Sequence, residues 1–169
     1  MPDRLSQLLG VLSLVATDRF RHSVEGSLGR AGVHAAALVH LDAYPGDSVQ
    51  ALADVLGVSQ PAAVKVADRL GSDGLLERRP GPDHRTRALH LTAAGREAAT
   101  RVLADRAAQL DGVLAVLDVD ERRQLEPLLE KLVAGLADDR PGALTTCRMC
   151  DRDTCCGVAQ GCPLEHTTL

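Results

Sequence analysis

Apolar residues recur at helical spacing from the start of the chain. Leu5, Leu8, Leu9, Leu12, Val15 and Ala16 share one face of residues 4–17, which predicts an amphipathic helix. The stretch EGSLGRAG at 25–32 carries three glycines and breaks that pattern. Residues 33–43 predict a second, short helix, ended by Tyr44-Pro45-Gly46. Asp47 or Ser48 can cap a third, with Val49, Leu52, Ala53 and Leu56 on one side. Gly57 stops it, and Ser59 can cap a fourth, with Pro61 tolerated in its first turn. Ala63, Val66, Ala67 and Leu70 give that fourth helix a buried stripe, and Gly71 to Gly74 end it.

The period then changes from helix to strand. LLERR (75–79) and TRALHL (86–91) flank PGPDHR, which reads as a β-hairpin with a stiff Pro/Gly turn. Thr92 can cap a long helix with Leu103, Leu110, Val113, Leu114 and Leu117 on one stripe. Asp118 to Glu121 offers a capping box for a last helix whose apolar face is Leu125, Leu128, Leu129, Leu132 and Leu136, with Pro127 inside it to bend it. DDRPG at 138–142 reads as a linker. The pattern predicts a mainly α fold with a small β-hairpin wing. It divides the chain into N-terminal helices (1–46), a helix-turn-helix with its wing (47–92), C-terminal helices (93–138), and a linker with a cysteine-rich tail (139–169).

Composition narrows the class. With one Phe, one Tyr and no Trp in 169 residues, the core must be built from Leu, Val and Ala, which suits closely packed helices. No apolar run approaches the ~20 residues of a membrane span, and no signal-peptide pattern opens the chain, so the expectation is a cytoplasmic protein without a membrane partner. The formal charge is −4, yet residues 59–91 hold six Lys/Arg against four Asp/Glu. A basic face on an acidic body suits a polyanion. Helix, tight turn, helix and hairpin, in that order, suit duplex DNA. A helix fits the major groove, and wing arginines reach phosphates or the minor groove.

The stretch from Ser48 to Ala98 resembles the winged helix-turn-helix of MarR-type (multiple antibiotic resistance regulator) transcriptional regulators. The matching pieces are LADVLGVS, VADRLGSDGLLER, the wing DHRTR and the closing LTAAG, and the flanking helices extend the likeness over roughly residues 4–137. The resemblance implies a non-enzymatic, DNA-binding regulator, a repressor by preference. It further implies N- and C-terminal helices that interlock into a homodimer on an inverted-repeat operator. The broad leucine stripes of those helices argue independently for an interface. The resemblance assigns base-edge contact to the start of the recognition helix. Gln60 suits adenine, Lys65 guanine or phosphate, and Ala62 and Val64 thymine methyls, with Ser59, Pro61 and Arg69 on the same outward side. Arg69 equally suits a structural pairing with Asp68 or Glu77. At the wing tip it implies that Arg85 enters the minor groove, steered by Asp83, while Arg78, Arg79 and Arg87 contact phosphate or frame the wing. The family's pattern often has hydroxyl or Arg side chains where this chain has Ala, Val and Lys, which bears on the operator sequence rather than on DNA binding. Such proteins also sense small aromatic or anionic effectors; His22, His34 and His40 read first as ordinary partly buried histidines.

The tail CRMCDRDTCCGVAQGCPLEH (147–166) is foreign to that pattern. It gathers all five cysteines of the chain within sixteen residues. Cys147-x-x-Cys150 can turn two thiolates onto one ion. Cys155 and Cys162 complete a four-sulfur set, with Cys156 and His166 as alternates. Three chemistries compete: zinc, an iron–sulfur cluster favoured by irregular spacing and the terminal Cys-Pro, and a reversible thiol switch. The tail has little apolar surface with which to fold unaided, so order there calls for a ligand or a partner, and its state could be relayed through the last dimer helix. The rival reading is a cysteine-based redox or metal-handling protein whose winged domain mediates protein contacts. Against an enzyme stand the lack of a separate substrate domain and of any Ser/His/Asp or HExxH arrangement.

Overall fold

The computed structural model describes residues 3–28, 32–81, 87–157 and 161–168. Helix α1 (Arg4–Leu28) is followed by α2 (Gly32–Ala43), α3 (Val49–Leu56), α4 (Gln60–Ser72), β1 (Leu76–Pro80), β2 (Arg87–Leu91), α5 (Ala93–Leu114) and α6 (Val119–Ala134). The tail adds α7 (Arg140–Thr146), α8 (Arg152–Cys156) and a single 3-10 turn at Glu165–Thr168. The fold is mainly α with one antiparallel hairpin, as the sequence pattern predicts.

The centre of the structure is α2, in which every residue from Ala35 to Leu41 is buried. A helix apolar on all sides belongs inside a bundle. Leu38, Leu41, Leu52, Leu70 and Leu89 are wholly buried together, so α2, α3, α4 and β2 share one core. A smaller cluster of Val24, Ala35, Val39 and Val102 joins α1 and α5 to the other side of α2.

Local chemistry sets most of the boundaries. The Ser48 hydroxyl accepts from the Ala51 N–H at 3.1 Å and caps α3. Gly57 ends α3 in the left-handed region at φ 64°, which turns the chain directly into α4. Asp118 and Glu121 form the expected reciprocal capping box on α6. Two boundaries differ from the sequence reading. The first helix continues to Leu28 through the first glycine of EGSLGRAG, because Phe20 and Val24 pack against α2 and α5 and burial outweighs propensity. DDRPG is no linker: Asp139 accepts from the Gly142 N–H at 2.8 Å and opens α7.

The hairpin pairs Leu76 with Leu91, Arg78 with Leu89 and Pro80 with Arg87. Its base is locked by Thr92. The Thr92 hydroxyl donates to the Gly74 carbonyl at 2.7 Å and accepts from the Gly95 N–H at 3.1 Å, while its backbone N–H donates to the Leu75 carbonyl at 3.1 Å. Two of these bonds tie the start of α5 to the chain entering β1, and the third caps α5 itself. The glycine of LTAAG is there because the two backbones touch: a Cβ on Gly95 would overlap the Leu75 carbonyl oxygen and lie 3.0 Å from its carbon.

Gly95→Ala should therefore destabilise the protein by about 2 kcal/mol or more, since backbone rather than a side chain must yield. Urea denaturation checks this, and an unchanged midpoint would refute it.

Candidate nucleic-acid interface and cysteine cluster

Helix α4 has two unlike sides. Ala63, Val66, Ala67 and Leu70 are buried in the core. Gln60, Pro61, Lys65 and Arg69 are exposed, and Ala62 and Val64 are half-buried at the margin. Ser59 holds the N-cap position, but its side chain makes no capping bond. The first turn of α4 therefore shows solvent a hydroxyl, an amide, a lysine and two small apolar groups. The turn before it is fixed by Gly57 and by the bond from Val58 N–H to the Ala53 carbonyl at 3.1 Å.

The arginines divide into those the structure pairs and those it leaves toward the wing tip. Arg78 on β1 reaches across to Asp68 on α4 at 2.7 Å, which joins wing to helix. Arg79 pairs with Glu77 on its own strand. Arg69 pairs at 3.6 Å with Asp73, one turn along α4, rather than with either acid expected for it. Arg87 is exposed at the start of β2, opposite Pro80. Asp83 and Arg85, assigned to the wing tip, lie outside the described residues.

On α2 lies a histidine whose partner sequence reasoning did not pick out. His40, only 6% exposed, bonds through Nε2 to the Asp47 carboxylate at 2.8 Å. Its ring stacks on Tyr44 at 4.9 Å between centroids, and the Arg152 guanidinium from α8 sits 4.8 Å over the same Tyr44 ring. A histidine inside an apolar helix signals that a partner must exist. Nothing in the spacing names Asp47, seven residues away. The ordinary reading of His40 therefore holds, as a core histidine with a carboxylate. His22 likewise bonds within its own helix, to the Asp18 carbonyl at 2.7 Å.

The tail folds back onto this region. Helix α7 packs against α3, and the Thr145 hydroxyl donates to the Asp54 carbonyl at 3.2 Å, on the last turn of α3. Met149 packs against both core clusters. A third, small cluster of Ala137, Ala143 and Leu164 joins the end of the body to the tail, with Val133, Cys147 and Cys162 around it. The tail thus borrows most of its apolar contact from the body, which is how so polar a segment comes to be packed. Between tail and α2 lies a cavity of about 370 Å³, with Arg140, Arg148, Arg152, His40, Tyr44 and Cys150 among its lining.

The cysteines are close together in space. The sulfurs of Cys150, Cys155 and Cys156 lie within 4.8 Å of one another. Of the four predicted ligands, Cys150 and Cys155 meet there, and the alternate Cys156 joins them. Cys147 influences the Cys150 thiol and Cys162 the Cys156 thiol, but neither joins the group of three. His166, the other alternate, bonds through Nε2 to the Ala137 carbonyl at 3.2 Å and is not in the sulfur group. The hydrogen bond from Cys150, aided by the Arg106 charge, lowers the Cys147 thiol to about 7. The same bond, reinforced by burial, pushes the Cys150 thiol up. Burial, with Cys162 nearby, raises Cys156 as well.

These features have counterparts among known proteins. The family model described as MarR family matches residues 28–85. The transcriptional repressor MprA of Escherichia coli K12 is 34% identical over 103 residues, a match covering 59% of this chain and 58% of MprA, so the alignment spans little more than half of that relative. The Mycobacterium tuberculosis MarR family protein Rv2887, solved in complex with DNA, superposes with TM-score 0.63 at 28% identity, over 78% of this chain and 98% of Rv2887. The described residues fold as a winged helix-turn-helix like that of this MarR family protein. YusO of Bacillus subtilis matches the same architecture with TM-score 0.69 at 26% identity, over 79% of this chain and 94% of YusO. Rv2887 has also been solved in complex with salicylic acid. About a fifth of this chain lies outside each structural match.

In reduced, metal-free protein, iodoacetamide should label Cys147 first, at a rate that rises as pH passes through about 7, where its thiolate forms. Peptide mapping by mass spectrometry reads the order; labelling of Cys150 ahead of Cys147 would contradict it.

Proposed function

We propose that this protein is a sequence-specific, DNA-binding transcriptional regulator of the MarR type, a repressor by preference, that acts as a homodimer on an inverted-repeat operator. The observation that carries the proposal is the two-sided α4. Its inner face is fixed in the core, while Gln60, Pro61, Lys65 and Arg69 stand outward from its first turns. A rigid helix with a positive N-terminal end and outward polar side chains is what reading a major groove requires. The repressor name of MprA and the DNA complex of Rv2887 support this reading.

Gln60 and Lys65 are assigned to base edges, Ala62 and Val64 to thymine methyls, and Ser59, Pro61 and Arg69 to the groove wall. Arg85, steered by Asp83, is assigned to the minor groove and Arg87 to phosphate. Arg78 and Arg79, each already paired with an acid, frame the wing. The cavity beside α2 suits a small anionic or aromatic effector, because three arginines line it and its volume is of ligand size. The tail's thiols are assigned to metal or redox sensing, with Cys147, Cys150, Cys155 and Cys162 as the ligand set read from sequence and Cys156 and His166 as its alternates.

The dimer follows from surfaces that a single chain leaves wet. Leu5 is 73% exposed on α1 and Leu136 is 65% exposed just past α6. Leu8, Leu9 and Leu12 on α1, and Leu128 and Leu132 on α6, are exposed too. Helix α6 buries no residue of its own. Each leucine covered is worth roughly 1.5–3 kcal/mol, enough in sum to drive association.

Two measurements test the proposal. Gln60→Ala should weaken binding of the preferred fragment by about 1–3 kcal/mol and relax selection at one base pair, read by anisotropy across a genomic fragment pool. Wild-type affinity should fall steeply as salt rises. Leu132→Asp should convert a dimer to a monomer in sedimentation equilibrium. Wild-type protein that sediments as a single chain, or that binds no duplex at low salt, would defeat the reading.

A further inference from the structure

The sulfur cluster and the brace on α3 are the two features that DNA reading does not use, and one short stretch of chain from Thr145 into the cysteines joins them. We propose that Cys147, Cys150, Cys155 and Cys156 hold one tetrahedral, soft divalent ion of the zinc type, and that this centre clamps the tail onto the helix-turn-helix to strengthen DNA binding. The proposal deepens the sensing role assigned to the tail and places its output in the turn before α4 rather than in the dimer helix.

Geometry selects the ion. Zinc–sulfur bonds of about 2.3 Å place tetrahedral sulfurs about 3.8 Å apart. Three sulfurs within 4.8 Å of one another are already near that arrangement. In a [4Fe–4S] cluster each thiolate binds a different iron, and in a [2Fe–2S] cluster two pairs sit on two irons, so either spreads four sulfurs wider than one ion does. Backbone order holds the set in place. Cys150 N–H bonds to the Cys147 carbonyl at 2.8 Å, a tight turn that brings both thiols to one side. Asp151 caps α8 through Thr154 N–H at 3.1 Å, and Cys155 N–H bonds to the Asp151 carbonyl at 2.9 Å, which presents Cys155 and Cys156 to the same point.

The fourth ligand is Cys147 rather than Cys162 because of what each is attached to. Cys147 is the C-cap of α7, and its carbonyl accepts from the Cys150 N–H at 2.8 Å, so one turn of backbone ties it to the group. Cys162 follows Gly161, at φ 74°, and among the described residues no backbone bond ties it to Cys150, Cys155 or Cys156.

The need for an ion follows from size. Among the described residues, the tail's buried apolar cluster is Ala137, Ala143 and Leu164. A unit of about thirty residues with so small a core requires a staple. The consequence follows from the brace. Thr145, two residues before Cys147, holds the Asp54 carbonyl and lies against Gly57, where a Cβ would be 3.6 Å from its methyl group. An ion that fixes Cys147 therefore fixes α7, and α7 fixes the end of α3 from which α4 departs. Binding the ion and binding DNA then favour the same pose, and each strengthens the other.

The test uses the full chain, stripped of metal under reducing conditions and titrated with cobalt, then zinc. One equivalent per chain is expected, with the visible bands of a tetrahedral thiolate cobalt site. Cys155→Ser, Cys156→Ser and Cys147→Ser should weaken uptake at least tenfold, and Cys162→Ser should retain it. Zinc should slow amide hydrogen exchange at residues 53–58 and raise DNA affinity about tenfold. Thr145→Asp, which sets a carboxylate against the α3 carbonyls, should keep its zinc while losing both responses. No uptake, or iron and sulfide in anaerobically purified protein, would overturn the ion. Uptake without slower exchange would overturn the clamp. Because exchange is read without DNA, a chain that binds zinc and slows but ignores every duplex would instead sink the regulator reading.

Discussion

Everything outward on this molecule depends on the burial of one face of α4. Val66 and Leu70 enter a core already occupied by Leu38, Leu41, Leu52 and Leu89, and α4 cannot rotate without withdrawing them. A turn of a few tens of degrees would swing Gln60 and Lys65 away from the side they now face and would leave apolar surface in water at about 25 cal/mol for each Å². The same packing sets the wing, since Leu76 and Leu89 belong to the cluster that holds α4. Position and stability therefore come from one set of contacts, and the outward side chains can vary while the frame does not.

How much of this was legible depends on the range of each interaction. The Ser48 cap, the Gly57 stop, the Thr92 cap and the Asp118/Glu121 box join residues a few positions apart, and the sequence shows them directly. The continuation of α1 to Leu28 was not legible, because it depends on Phe20 and Val24 meeting helices far along the chain. Nor was α7, whose cap Asp139 sits in a stretch that resembles a linker by composition. Ion pairs failed for the same reason. Arg69 had three acids within reach, and only the orientation of α4 decides for Asp73. The cysteine spacing pointed to a shared centre, but the choice of Cys156 beside Cys150 and Cys155 depends on the phase of α8, a five-residue helix with no periodicity to read.

Electrostatics explains how an acidic protein can hold DNA. The excess of basic residues between 59 and 91 is small, and part of it is spent within the chain, on Asp68, Asp73 and Glu77. Exposed pairs of this kind contribute little, typically under about 1 kcal/mol, so exchanging a carboxylate partner for a phosphate costs little in stability. What the pairs supply in the free protein is placement. Arg78 on Asp68 keeps the wing against α4, and the hairpin reaches a groove already at a set distance from the recognition helix.

The two unfinished surfaces of the chain then acquire different meanings. Helices α1 and α6 carry leucines that stay exposed among the described residues, a surface that a second copy would cover in the proposed dimer. The tail covers its few apolar residues on the body and instead leaves its sulfurs gathered at one point. In the proposed dimer, pairing of chains would fix the separation between two copies of α4, a property of the body's ends. A brace at Asp54 and Gly57 acts inside each copy, on the angle at which α4 leaves α3. Because one sets spacing and the other sets pose, a signal received at the tail can change grip on DNA without dissolving the pair, and a change at the leucine faces can dissolve the pair without disturbing the sulfurs.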